Sequence, residues 1–521
     1  NKSNKIGEIM AHKERQQLNI AENEKKEALL QQKQEKKNAK EQILRAKKEQ
    51  KIAKKAEKSA KKAKNRAKKQ RIKELLKYKK LKEKEIRKKQ EETIRAMEQR
   101  GKFASWFRLD NAASIYPSAS DKDWNFVYRI AVTMKNKVDK QILQKALDDI
   151  MPRFPTFNVK LCHGFFWNYY EPNFGRLEIE EEKYFPCQPF NLSNGNGFLI
   201  RVLYSEYRIT LEVFHAICDG RGALFFINSL VARYIELCGT KISEFVGCAS
   251  YNDIPSDEEM EDSFFKSVNN DKTKRPKEKS AYKIKGTLLP SGMVNSTEGI
   301  LSVSKVKEVA KKYNATISVF LAAVVGYQIY KRQTSNKKPT KISVPIDLRS
   351  RYNSKSLRNF SSYVNVPVAG KDLSFEDVIE IFQRELKNVD DNMLQANINA
   401  NVKVQKNFFV KIMPLFIKNF VLKICFNYMG ENLQTLALSN IGKVSCPEEF
   451  NDFVESYTFN LGRSLYNQKS IGVVSFGDKL SICISSKIAE NQTERDIFCM
   501  LADFGLDIDV YSNRRDMYGR K

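Results

Sequence analysis

The chain is 521 residues long, 41% apolar, and carries a formal net charge of +29. That length exceeds one ordinary core, so two or three units are expected. Nine Cys, scattered singly with no Cys-x-x-Cys, exclude a disulfide framework and a zinc site and suit a reducing cytoplasm, with no resident metal or bound cofactor expected; no apolar run is long enough to span a membrane and the N-terminus is too polar for a signal peptide.

Residues 1–100 hold 35 Lys+Arg against 15 Asp+Glu, contain no Pro and have one Gly, Gly7. Lys, Glu, Ala and Gln are strong helix formers, and pairs such as Glu22–Lys26 and Glu57–Lys61 lie one helical turn apart. Apolar residues are too sparse for a sustained heptad seam, so a solvated single helix is expected here in place of a stable coiled coil. The Ala53–Lys69 tract reads as a charged spacer; contact with an anionic polymer or a membrane surface through charge alone is the alternative. No aromatic residue interleaves its Lys, so specific nucleic-acid recognition is not expected.

Composition changes at Gly101, where an apolar stretch opens with Trp106, Phe107, Leu109, Asp110, Ala112, Ala113, Ile115, Tyr116 and Pro117. A strand is predicted over 126–134. Asp139 then caps a helix whose apolar face is Ile142, Leu143, Ala146, Leu147 and Ile150. The helix stops at Pro152-Arg153-Phe154-Pro155, and strands are expected to begin at Phe157 and Phe165. Two more, over 198–204 and 208–214, pair through Ser205-Glu206 and deliver the chain to His215-Ala216-Ile217-Cys218-Asp219-Gly220, after which 222–237 reads as an apolar helix. Residues 247–285 turn acidic, then basic, as a linker or crossover does.

The second half restarts at Ile300. Helices are expected after Ser304 and over 317–330, and a strand over 341–346 runs into Asp347-Leu348-Arg349. The run 358–366 reads as a further strand segment, and Ser475-Phe476-Gly477 begins a late hairpin that closes with Leu480-Ser481-Ile482. The order strand, helix, strands, helix thus occurs twice. Phe408–Phe426 is strongly apolar, but Lys411, Lys418 and Lys423 interrupt it and Pro414 breaks it, which makes it a poor span. It is expected to be a core helix, with a cover over a tunnel or a helix resting on a bilayer as the alternatives.

His215 is the one His of three placed at a strand-to-helix turn. An imidazole with an ordinary pKa near 6.5 is suited to proton abstraction near neutrality. The structural alternative is a hydrogen-bonded His at a strand end, with Asp219 as a helix N-cap and Gly220 easing the turn. Cys218 is expected to be a buried small residue, not a nucleophile. Gly-x-Ser-x-Gly is absent, which argues against an α/β-hydrolase.

The arrangement His215-x-x-x-Asp219-Gly220 resembles the signature of acyl-CoA-dependent acyltransferases with the chloramphenicol acetyltransferase-like fold, a superfamily that includes alcohol acetyltransferases and condensation domains. Trp106 to Pro117 looks like the opening of bacterial alcohol acetyltransferase-type proteins. Arg153 aligns with the first Arg of a condensation-domain motif, with Phe154 in place of its His. The run 358–366 resembles a Phe-Val-Asn-Thr segment, and Leu438-Ser439-Asn440-Ile441-Gly442 an Asn-Tyr-Leu-Gly segment, of the same fold.

The resemblance covers about 102–510. It implies an α/β fold of two such subdomains, over 101–248 and 298–521, facing each other across a cleft, with 249–297 linking them and the arm 1–100 in front. It also implies that His215 acts as general base in direct attack of an alcohol, or an amine, on acyl-CoA, a free co-substrate whose phosphates meet Lys and Arg of the second half. Asp219 is then turned away from substrate to pair with an Arg, with Arg153 as first candidate and Arg349 as the other. Gly220 lets the backbone pass close to substrate or starts the helix. Asn440 or Ser439 is the candidate donor to the thioester oxygen, and Tyr363 and Asn365 are candidates to line the cleft. Two rival readings remain: a condensation module acting on carrier-protein thioesters, against which no carrier or adenylation segment is found, and an inactive acyltransferase-like scaffold working through its basic arm.

Overall fold

A computed structural model describes residues 3–98, 106–120, 124–192, 197–270, 278–334, 337–464 and 466–514. The chain divides into two units, Asn1–Lys82 and Glu83–Lys521. The described residues of the first unit all lie within the helix Ser3–Glu98, on which Leu75, Leu76, Tyr78 and Leu81 are exposed. Its helicity follows from the propensity of its Lys, Glu, Ala and Gln, not from burial.

The second unit is a mixed α/β body with two main sheets. The first has five strands in the order Val454–Leu461, Val127–Met134, Arg208–Phe214, Ile200–Ser205 and Glu180–Glu181. All pairings are antiparallel except the last. Arg208–Phe214 lies inside this sheet and is buried from Ile209 onward, so the residue that follows it is held at the sheet's end. The helix Lys140–Ile150 covers this sheet with Leu143, Ala146, Leu147 and Ile150 buried. Asp139 caps it by accepting from the Gln141 and Ile142 amides, the bond an N-terminal turn needs.

The second sheet runs Ser361–Val368, Thr340–Asp347, Leu436–Lys443, Lys469–Phe476, Lys479–Ser486, Asn295–Ser302 and Asp509–Ser512. Leu436–Lys443 is parallel to both neighbours; the remaining pairs are antiparallel. The helices Ile317–Arg332 and Phe375–Lys387 pack on it. One strand crosses over: Val454–Leu461 comes from the second half of the chain and pairs with Val127–Met134. The two halves therefore share a backbone ladder, which no amphipathic pattern within either half specifies.

Several expectations shift. Strands expected to begin at Phe157 and Phe165 form a hairpin, Val159–His163 with Asn168–Pro172, and Phe165 is at its exposed tip. Acidic residues of the expected linker do more than connect: Glu259 and Asp262, on or beside the short helices Asp257–Met260 and Ser263–Ser267, bind Arg153 and the Asn111 amide; its basic part, 271–277, lies outside the described residues. The apolar stretch 408–426 is not a core helix. It forms two helices, Phe408–Ile412 and Leu415–Met429, with most large side chains exposed. Pro414 separates them, as a residue lacking an amide donor does.

Candidate active site

The site is assembled where the first sheet delivers a strand to a helix. His215 follows Arg208–Phe214, and its amide is anchored to the Phe126 carbonyl at 2.7 Å. Four residues on, Asp219 caps the helix Gly220–Leu237 by accepting from the Gly222 amide at 3.3 Å. Burial drives that helix: Ala223, Phe226, Ile227, Leu230, Val231 and Ile235 are inaccessible to solvent.

The imidazole has aromatic neighbours on two sides. Tyr116 stacks on it at 4.7 Å between centroids, and Tyr128 meets it edge-on at 5.0 Å. Nδ1 lies 3.1 Å from Asn359 Oδ1. The Asn359 amide nitrogen donates to Asp110 Oδ2 at 3.1 Å and to the Ala216 carbonyl at 3.4 Å. Both of those partners accept only, so the Asn359 oxygen must face the ring, and Nδ1 must carry the proton. Nε2 is then the lone-pair nitrogen, with no protein hydrogen-bond partner among the described residues. Burial lowers the His215 pKa below its usual 6.5; its own carbonyl, Asp219, Asn359 and Asp110 oppose the shift without cancelling it. The ring is therefore neutral near pH 7 and able to accept a proton at Nε2.

Asp110 is fully buried and its pKa is raised by that burial; Arg358, 3.7 Å away, opposes the shift and Asp262 adds to it. It also accepts from the Ala113 and Asn359 amides. These bonds tie the apolar opening segment to 358–360, and so fix Asn359 under the imidazole.

Asp219 does not contact the ring through any hydrogen bond. Its two oxygens take the two terminal nitrogens of Arg349, each at 2.9 Å, and the Phe360 amide donates at 3.0 Å. Burial alone would raise its pKa, but Arg349 and the amides of Phe360 and Gly222 outweigh it and hold the carboxyl below the usual range. Arg349 also donates to Asp347 and to the carbonyls of Ser356 and Arg358. A single planar fork thus fastens the turn carrying His215 in the first half to 347–360 of the second.

The first-choice partner for Asp219 was Arg153, and the geometry corrects it. Arg153 makes a bidentate pair with Glu259 at 2.8 and 2.9 Å. Its two terminal nitrogens are occupied there, while Arg349 faces Asp219 directly. Gly220 starts the helix; a Cβ on it would come 2.8 Å from Ile441 Cγ2. The more demanding glycine is Gly222, where a Cβ would fall 2.0 Å from the Leu357 carbonyl oxygen.

The remaining candidates lie on strands of the second sheet. Asn440 is occupied by Ser318 and by the Gly442 amide of its own turn, at 2.9 and 2.8 Å, and Ser439 stands beside it opposite Gly472. Asn365 donates to Glu278 at 2.9 Å. Tyr363 is half-buried and acts electrostatically on Tyr116. Cys218 is buried, and burial pushes its thiol well above the usual range, consistent with a packed residue. Sequence reasoning assigned no role to Asn359, Asp110, Tyr116 or Tyr128. A carboxylate set among Leu109, Ala112 and Ala113, at Asp110, was the readable signal for one of them, since a buried charge needs a partner.

No family model and no curated protein matches the chain. Solved structures do match, and the fold they define is the chloramphenicol acetyltransferase-like fold of acyltransferases and condensation domains, with two subdomains. The starter condensation domain of rhizomide synthetase, solved with C8-CoA and Leu-SNAC, superposes with a TM-score of 0.50 at 11% identity, covering 77% of this chain and 95% of that one. The trichothecene 15-O-acetyltransferase of Fusarium sporotrichioides is 14% identical with a TM-score of 0.49, over 77% and 95% of the two chains. Polyketide synthase associated protein 5 from Mycobacterium tuberculosis is 12% identical with a TM-score of 0.48, over 77% and 98%.

Proposed function

We propose that the chain is an acyltransferase of the alcohol acetyltransferase type, moving an acyl group from acyl-CoA to an alcohol with His215 as general base. The observation that carries this reading is the geometry of the imidazole: Nδ1 lies 3.1 Å from the Asn359 oxygen, and Nε2 has no protein hydrogen-bond partner among the described residues. An alcohol hydroxyl placed at Nε2 gives up its proton as its oxygen attacks the thioester carbonyl. The tetrahedral oxyanion collapses, the C–S bond breaks, and the proton passes from His215 to the departing thiolate, leaving ester and free CoA thiol. No acyl-enzyme is required. Asp219 takes no proton; through Arg349 it holds the turn that carries the base. The Asn440 amide is already occupied, which leaves Ser439 as the proposed donor to the oxyanion.

The reading is tested by incubating the protein with acetyl- and longer acyl-CoAs and a panel of alcohols and amines, following thiol release. Acceptor-dependent release supports it. Transfer from carrier-protein thioesters but not from CoA would assign the same base to condensation chemistry. No release with any donor would leave the fold as a scaffold.

A further inference from the structure

The helix Leu415–Met429 is inverted with respect to solvent. Phe416, Ile417, Phe420, Val421, Ile424 and Tyr428 are exposed, with Phe416 at 72% and Phe420 at 67%. At 3.6 residues per turn these six fall within an arc of about 140°. Lys418 and Asn419 point the other way. Lys418 is 3% exposed, donates to the Phe166 carbonyl at 2.7 Å and sits 3.2 Å over the Trp167 ring; burial lowers its pKa to about 8. Asn419 accepts from Ser118 at 2.7 Å. A helix at rest in water places lysine outward and phenylalanine inward; here the chain invests a buried lysine to do the reverse.

The apolar arc continues onto its neighbours. Phe408, Phe409 and Ile412 of the preceding short helix are exposed, as is Phe165 at the hairpin tip, whose carbonyl accepts from the Leu415 amide at 2.8 Å. Contiguous exposed aromatics on this scale mark a docking surface. Charge identifies what docks. From Asn392 to Gly430 there is no Asp or Glu, while Lys403, Lys406, Lys411, Lys418 and Lys423 are present. An exposed aromatic face with lysine and no acid suits the boundary between anionic headgroups and acyl chains, where apolar area and positive charge both contribute. No helix among the described residues is long and apolar enough to cross a membrane, so the contact is one of lying on the surface.

We propose that the face formed by residues 408–428, with Phe165, docks on an anionic lipid bilayer. The same helix reaches inward to the candidate base. Phe426 packs edge-on against Phe126 at 5.1 Å, Phe126 against Tyr116 at 4.8 Å, and Tyr116 against His215 at 4.7 Å. A bilayer under this face is therefore separated from the imidazole by a short chain of aromatic contacts.

The test is sedimentation of the full chain with phosphatidylcholine vesicles, with and without phosphatidylglycerol. The basic arm also attracts anionic vesicles, so the comparison is repeated at about 1 M salt, where the Debye length is about 3 Å and Coulombic binding is suppressed. The wild-type protein is expected to prefer phosphatidylglycerol vesicles at low salt and to stay partly bound at high salt. The double variant Phe416→Ser/Phe420→Ser is expected to be released, with affinity falling roughly tenfold for each Phe. Equal retention of both proteins, or no retention of either at high salt, overturns the proposal. So does a monomer–dimer equilibrium abolished by the variant with vesicle binding unchanged, which gives the face to a second copy of the chain. Should the double variant unfold, Phe420→Trp read against brominated lipid decides: added quenching supports insertion, and none overturns it. These readouts need no acyl transfer, so this proposal and the proposed activity fail separately.

Discussion

Arg349→Lys tests how the base-bearing turn is held. Lysine keeps the charge but has one nitrogen in place of the fork, so it can replace at most one of the two 2.9 Å bonds to Asp219. The bonds to the Ser356 and Arg358 carbonyls lose their donor at the same time. Breaking a buried pair by changing one partner costs about 3–5 kcal/mol, and a lysine that keeps part of the Coulombic attraction should recover some of it. The expected loss is about 2–4 kcal/mol, read as the shift in urea midpoint at constant slope. A double-mutant cycle with Asp219→Asn isolates the pair, and its coupling should lie at about 1–3 kcal/mol, near the top of the range for contacting partners. The same cycle run with Arg153→Lys should give coupling near zero, because Arg153 is paired with Glu259. A substantial Asp219–Arg153 coupling beside a negligible Asp219–Arg349 coupling would refute the assignment. The pair also sets an acid limit. The folded carboxyl titrates below its ordinary value of 3.8, so its stabilisation is fully present above 3.8 and is lost as pH falls through the lower folded value.

Three other outcomes follow from the site. The kcat/KM profile should be flat near neutrality and fall on an acid limb centred below 6.5, since burial lowers the His215 pKa and only the neutral ring is a base; a limb above 6.5 would contradict the environment described. Asn359→Ala should lower kcat by on the order of tenfold to a hundredfold with KM little changed, because it frees the tautomer without touching substrate; a loss confined to KM would remove Asn359 from its positioning role. Gly222→Ala should destabilise the body by about 1–3 kcal/mol, its methyl meeting a backbone carbonyl that cannot swing aside, whereas Gly220→Ala meets a side-chain methyl, Ile441 Cγ2, at the longer distance of 2.8 Å; equal thermal shifts in the two variants would contradict that reading.

Local patterns made much of this molecule legible. The Asp139 cap, the helix 317–332, the strand ending at Phe214 and the hairpin at Gly477 each follow from capping residues, periodicity or turn chemistry within a few positions. Non-local pairings were not legible in the same way. Whether Asp219 meets Arg153 or Arg349 depends on where residue 259 lies, and nothing in the spacing of the three residues reports that. The crossover strand Val454–Leu461 does not keep a strict alternation, so its pattern does not say which sheet it joins. Asn359 falls in the run 358–366, just ahead of the strand Ser361–Val368, and nothing in the sequence singles it out, because an Asn takes its role from what its amide faces. The stretch 408–426 was misread for a physical reason: periodicity locates the apolar arc of a helix but does not say on which side the body lies.

The central claim is that His215 Nε2 removes the acceptor's proton. Thiol release from acyl-CoA with the best alcohol, measured for wild type and for His215→Ala and His215→Gln at matched thermal stability, tests it most directly. General-base assistance is worth about 10²–10⁴ in rate, so both variants should retain at most about a hundredth of the wild-type kcat. The acid limb of the pH profile should vanish with the imidazole. Turnover within a few-fold of wild type in either well-folded variant, with the acid limb intact, would contradict the account.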